Sequence, residues 1–433
     1  MGSCVVMGAM ASSAMVLAQQ GPDAPAESPP LPAPEPTPTE PATATEDVKA
    51  PAEPTAEPEL TEEELKLLQE SIAADQADVS TSPPQSPGPS AAAAASFLDV
   101  AVILDAAAAY FTGEPLQAGG HDPAQTGFTL QQLELSLGAN VDPFLRFDAN
   151  LVFTFEGVEV EEAYATTLDL PASLQARAGQ LLTRFGRTNV LHPHAWHFVD
   201  QPLANGKFLG GDGSRGLGVE ASWLAPLPWY VEVLGSATTA EAECCARSFT
   251  DGQGGIASPA DLIATTALKQ FFELSADLSL AFGLSGQFGR NPTGPGHRTE
   301  LYGTDVYLRY RPLDSTTRSA VSLTAEAMVR RREVPGRALS DLGVNSELVF
   351  TFTPQWEAGA RYGLVTGVEE DYLDPEQDKK HQRADLQLTY YPSHFSRLRL
   401  QGGWDGPDFR SAPIWKGMIA FEVVTGAHGA HGY

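Results

Sequence analysis

His192, His194, His197 and Asp200 place three imidazoles and a carboxylate within nine residues of one another. Neutral imidazole and carboxylate are zinc ligands, and zinc is the one cofactor the sequence suggests. The spacing matches no strict zinc motif, and packing of a His- and aromatic-rich stretch against a neighbouring wall accounts for the same residues more simply. A second pair, His428 and His431, lies far away near the C-terminus. Of three cysteines, Cys4 falls in an apolar leader; Cys244 and Cys245 are adjacent, could close only a strained vicinal bridge and have no further Cys or His at zinc-ligand spacing. They read as incidental loop residues.

Catalytic chemistry is not indicated. The chain has no Gly-x-Ser-x-Gly elbow, no phosphate-cradling loop and no His-Glu-x-x-His helix. An enzyme is therefore not the expected reading.

The elements that must position these residues begin with a split in composition near Phe97. Of 55 acidic residues 15 precede Phe97, as do two of the 27 basic ones, and the remainder is still net acidic. A chain of formal charge −28 lacks the basic stripe that nucleic acid calls for. Residues 1–18 read as a secretory leader, with apolar Val5 to Leu17 and a small-residue cleavage site after Ala18. Residues 19–59 form a Pro-, Ala-, Glu- and Thr-rich spacer that cannot bury a core. Residues 60–78 carry a short amphipathic helix: Leu65, Leu68 and Ile72 recur near helical spacing, and Thr61 with Glu64 makes a capping box. At this length it is marginal alone, so self-association into a homo-oligomer and a lone frayed helix are both open. Residues 79–96 return to linker.

From residue 97 to 433 the pattern changes to alternation with period two, in segments of about ten residues, which is the signature of a transmembrane antiparallel β-barrel. In Phe144–Phe155, Leu145, Phe147, Leu151 and Phe153 share one face, and Arg146, Asp148 and Asn150 the other. Tyr302, Val306, Leu308 and Tyr310 oppose Asp305, Arg309 and Arg311, while Leu398 and Leu400 oppose Arg397, Arg399 and Gln401. A dry sandwich core could not hold so many charges, whereas a wet lumen can. Segments starting near 98, 127, 143, 158, 174, 215, 228, 261, 278, 300, 318, 339, 355, 380, 395 and 414 give about sixteen strands, an even number as closure requires. The segments at 158 and 261 alternate poorly, and Glu162 falls on the face expected to meet lipid. Tight connections alternate with long Gly- and Asp-rich ones, as in barrels with short periplasmic turns and long outer loops. The expected fold class is thus all-β, a barrel of about sixteen strands after a disordered spacer and a short helix.

A barrel of this kind would line its lumen with Arg146, Asp148, Arg177, Asp305, Arg309, Glu326, Arg330, Arg361, Arg397 and Arg399, joined by Glu134, Glu159, Glu161, Glu220 and Asp385. Mixed charge creates a transverse field that orients polar solutes; no ring of one sign is visible, so phosphate selectivity is unsupported. The long segment Gly186–Ser214 follows the fifth strand, where it could fold inward as a constriction, and it carries the three histidines.

The strands, leader and terminal Tyr433 resemble the outer-membrane porins, in general plan the phosphate-selective type, over roughly residues 97–433. The segments "TGFTLQQLELSLGANVDPFLRFDANLVF", "GQLLTRFGRTNVLHPHAWHFVDQP" and "TGAHGAHGY" resemble barrels labelled zinc-regulated TonB-dependent outer-membrane receptors. About sixteen strands, with a Pro-rich region before them, favour passive diffusion over a plugged receptor. The resemblance implies a channel in the bacterial outer membrane, its spacer in the periplasm, with lipid and small polar solutes or ions as partners. A zinc-responsive receptor or transporter and an envelope-tethering barrel are the other readings.

Overall fold

The computed structural model describes residues 98–154, 157–240, 247–249, 258–313, 318–369, 371, 374 and 377–426. The leader, spacer and expected helix, both C-terminal histidines and Cys244–Cys245 lie outside the described residues.

Sixteen strands occur among the described residues. They are β1 (Asp99–Phe111), β2 (Gly127–Asn140), β3 (Leu145–Phe153), β4 (Val158–Thr167), β5 (Leu174–Leu182), β6 (Arg215–Leu224), β7 (Tyr230–Thr238) and β8 (Ile263–Glu273). Then follow β9 (Leu278–Arg290), β10 (Arg298–Tyr310), β11 (Ala320–Val334), β12 (Arg337–Thr353), β13 (Trp356–Val365), β14 (His381–Ser393), β15 (Ser396–Pro407) and β16 (Ile414–Gly426). Each pairs antiparallel with its sequence neighbours, and β16 returns to β1, so the sheet is a closed barrel with no free edge. Every strand begins within two residues of the expected position.

Two faces follow from the alternation. Outward are Leu217, Leu386, Leu400 and Ile419, each more than half exposed, flanked by Tyr110, Tyr302, Tyr310 and Trp415. So broad an apolar surface is unstable against water and suits a hydrocarbon layer with aromatic residues at its borders. Closure satisfies the backbone hydrogen bonds that lipid cannot. The inner face is polar and charged.

The connections separate the two rims. One rim carries tight joins such as residues 354–355 and 394–395. The other carries the longer β1–β2, β5–β6, β7–β8 and β13–β14 connections. Residues 335–336 depart from this pattern, joining the long strands β11 and β12 on the loop rim, with Gly336 at φ +78°.

Candidate functional site

Residues 183–214, between β5 and β6, fold into the barrel and touch most of its wall. The neck of the loop is clamped by Asn189, whose side-chain amide donates to the carbonyls of Thr183 (2.7 Å) and Ser214 (3.0 Å) and accepts from Ser214 N–H (2.7 Å). Just inside, Glu326 of β11 accepts the backbone N–H of Arg187 and of Thr188 (2.8 Å), and Lys269 of β8 donates to the Gly186 carbonyl. A short helix, α1 (Leu203–Phe208), is wholly buried and packs with Phe185 and Leu209 on Leu301, Met328 and Val365. Two inward-facing glycines make this fit: a Cβ on Gly303 would stand 2.7 Å from the Phe185 ring, and one on Gly343 would stand 2.3 Å from Phe208. Only hydrogen is small enough at those points.

On one side the loop docks on cations. Asp200 meets Arg361 of β13, Arg383 of β14 (3.3 Å) and Lys416 of β16, and accepts from Gln401 (2.7 Å). Arg397 and Arg399 donate to loop carbonyls, including Trp196 O (2.9 Å) and Phe198 O (3.1 Å), while holding Glu422 and Asp105 (2.6 Å each). Burial alone would raise the Asp200 pKa, but Lys416, Arg361 and Arg383 hold its carboxyl well below the usual carboxylate range.

On the other side the loop meets acids. The β3–β4 pairing slips after Asn150, which opposes Glu162 while Leu151 opposes Val160, leaving Glu161 as the extra residue of a bulge. The bulge turns both acids inward, which corrects the expectation that Glu162 faces lipid. Glu161 lies 2.8 Å from His192 Nδ1, and Glu162 3.1 Å from His192 Nε2. Glu134 of β2 lies 2.9 Å from His194 Nδ1, and the two imidazoles stack at 5.6 Å. Burial opposes protonation of His192, but Glu134 and Glu161 outweigh it and raise its pKa well above the ordinary histidine value.

The four residues singled out in sequence therefore do not converge on one point. His192 and His194 come together, whereas His197 pairs with Glu357 of β13 (2.8 Å) and Asp200 is committed to its three cations. Between residues 194 and 200 the side chains change partners, from Glu134 of β2 to the cations of β13, β14 and β16. Sequence did not single out Asp105, Glu357, Arg383, Lys416 and Glu422 of the wall, nor His121, Asp122 and Asp212. Asp122, in the β1–β2 connection, accepts from Gly119 N–H (2.8 Å) and Gln201 N–H (2.8 Å), tying that connection to the inward loop.

The ten expected lining residues have distinct surroundings. Arg146 pairs with Asp148 (2.9 Å), Arg177 with Glu220 (2.9 Å) and Asp305 with Lys269 (3.2 Å). Glu326, Arg361, Arg397 and Arg399 bond the loop, and Arg330 lies 4.8 Å over the Phe208 ring while held by Asp341 (2.6 Å) and Asp374 (2.8 Å). Arg309 lines a cavity of about 420 Å³ that also contacts Arg187, Trp196 and His197. A second cavity of about 450 Å³ adjoins Arg184 and Lys269, and on the loop-rim side lies one of about 780 Å³, reaching Lys207 and His381. The loop lies between the first two, on the turn-rim side, and the third.

No family model matches the chain. Over 351 residues, 72% of this chain and 72% of its relative, it is 32% identical to an uncharacterized protein of Aquifex aeolicus (strain VF5). The chain belongs to that protein's family. Its fold resembles the outer membrane channel DcaP of Acinetobacter baumannii, at 14% identity and a TM-score of 0.52, covering 76% of this chain and 97% of that one. It also resembles OprB of Pseudomonas putida, at 10% identity and a TM-score of 0.50, covering 76% and 94%. These likenesses bear on the fold alone. Sixteen strands also correct the TonB-dependent receptor label, since such receptors close about 22 strands around a plug domain.

Proposed function

We propose that this protein is an outer-membrane porin-type channel through which ions or small polar solutes diffuse passively, narrowed by the loop between β5 and β6. The observation that carries this reading is a closed wall, apolar outside and charged inside, whose two chambers are separated by one inward segment. Sixteen-stranded barrels are wide enough to leave an aqueous path, and here the loop sets how much of it remains. Arg309, Arg187 and Glu357 give the turn-rim chamber charges of both signs, which suits small polar solutes more than one ion type. The spacer is read as periplasmic.

Purified protein in a planar bilayer should give stepwise conductance. It should also fractionate with the outer membrane and run faster on a gel unheated than boiled, because a closed barrel resists detergent unfolding. A heat-shifting protein that inserts yet conducts nothing would favour the envelope-tethering reading, and a freely soluble protein would end both.

A further inference from the structure

We propose that Glu134, Glu161 and His192 form a binding site for a divalent cation of the zinc class, which fastens the inward loop to β2 and β4. The three side chains each offer one ligand atom, all within 4.8 Å of one another, and all three residues are buried. Ligand atoms of a tetrahedral zinc with bonds of about 2.1 Å lie about 3.4 Å apart, so small side-chain adjustments suffice.

Three features distinguish this cluster from the other ionic groups of the lumen. First, charge is matched differently. Glu220, Asp341, Asp385, Asp405 and Glu422 each have an arginine partner, whereas no arginine or lysine pairs with Glu134, Glu161 or Glu162 among the described residues. Besides the imidazoles, these acids meet only neutral donors at hydrogen-bond distance, the Gln132 amide on Glu134 (3.4 Å) and Leu182 N–H on Glu162 (3.1 Å), and a cation bound between the carboxylates would add a full positive charge at their centre.

Second, His192 is oriented as a metal ligand is. Nδ1 faces Glu161 at 2.8 Å, while Nε2 faces Glu162 at 3.1 Å and the Asn150 side chain at 3.2 Å. With Nδ1 on the cation, Nε2–H would donate to Glu162, the outer carboxylate that commonly fixes a ligating imidazole.

Third, a further ligand is aimed at the cluster. His121 Nδ1 is 3.0 Å from the Gln131 carbonyl and donates to it, so its Nε2 is the nitrogen that points into the cluster. That nitrogen makes no hydrogen bond, yet stands 3.4 Å from Glu161 Oε1 and 3.8 Å from Asp212 Oδ1. Lone pairs directed at one another repel unless a proton or a metal ion lies between them. Mixed imidazole and carboxylate ligands favour zinc-type ions over magnesium.

The site does not depend on the channel reading, because its test measures binding. Full-length protein, stripped with chelator and shown by its heat shift to be folded, should bind one Zn²⁺ per chain by calorimetry, with Mg²⁺ unable to compete. X-ray absorption of the zinc-loaded wild type should show nitrogen and oxygen neighbours without sulfur. His192→Ala should abolish saturable binding, and Glu162→Gln should weaken it by about ten- to a hundredfold, as loss of an outer carboxylate does. His197→Ala, whose partner is Glu357, should bind as wild type does. The proposal is overturned if folded wild type binds no Zn²⁺, if sulfur surrounds the bound ion, or if folded His192→Ala retains wild-type affinity.

Discussion

Deleting His192 to Gly211 should raise single-channel conductance severalfold. The current through a pore is limited by its narrowest stretch, and in the proposed channel the loop between β5 and β6 builds that stretch. The deletion takes out α1, both stacked imidazoles and the Asp200 anchor. It spares the neck, where Asn189 holds Thr183 and Ser214, and the direct β5–β6 ladder from Leu174↔Trp223 to Leu182↔Arg215. The wall therefore remains closed while its lumen empties, leaving the aqueous channel expected of sixteen strands. The readout is conductance per step at fixed salt, in protein shown by its heat shift to be folded. Steps of wild-type size would mean that the loop does not limit the current, and the narrowing role would be lost.

The barrel was legible in the sequence because lipid and water select residues every second position. Leu145, Phe147 and Leu151 against Arg146, Asp148 and Asn150 leave one register open to β3, and each strand start falls within two residues of its expected place. Alternation fails where the backbone departs from it. The extra residue at Glu161 reverses the facing of Glu162, and no propensity distinguishes that bulge from a charged residue on the wrong face; the cost of an acid against lipid was the available signal. The inward loop was legible from its length, glycines and position, but its path was not. Whether His197 meets His194 or Glu357 depends on contacts as much as 160 residues away in sequence. Gly303 and Gly343 read as ordinary strand residues until the rings of Phe185 and Phe208 are seen against them. His121 and Asp122, isolated in a Gly- and Pro-rich connection, carry no pattern of their own.

Asp200→Asn should undock the loop while leaving the barrel closed. This one carboxylate is shared by Arg361, Arg383 and Lys416, all of them buried. Asparagine keeps the volume and a hydrogen bond for Gln401 but removes the charge, and stripping one partner from a buried ion cluster costs about 3–5 kcal/mol. The wall does not bear that loss, since Arg361 retains Asp385 (2.8 Å) and Arg383 retains Asp405 (2.8 Å). It falls on loop docking. Lys207, buried and bonded to the carbonyls of Thr366 (2.7 Å) and Gln377 (3.0 Å), should become open to trypsin, and the open-channel current should become noisier. With one negative charge gone beside three positive ones, the reversal potential in a salt gradient should move toward anions. The pH dependence has a definite sign. The Asp200 carboxyl is held well below its unfolded value, so its contribution to docking is complete above the usual carboxylate range and is lost only as pH falls through the lowered value. Wild-type channels should therefore keep their conductance down to about pH 4, near the unperturbed aspartate value. If Asp200→Asn matches wild type in trypsin resistance, noise and reversal potential, the cation cluster does not anchor the loop, and the packing of Phe185, Phe198 and Phe208 must hold it instead.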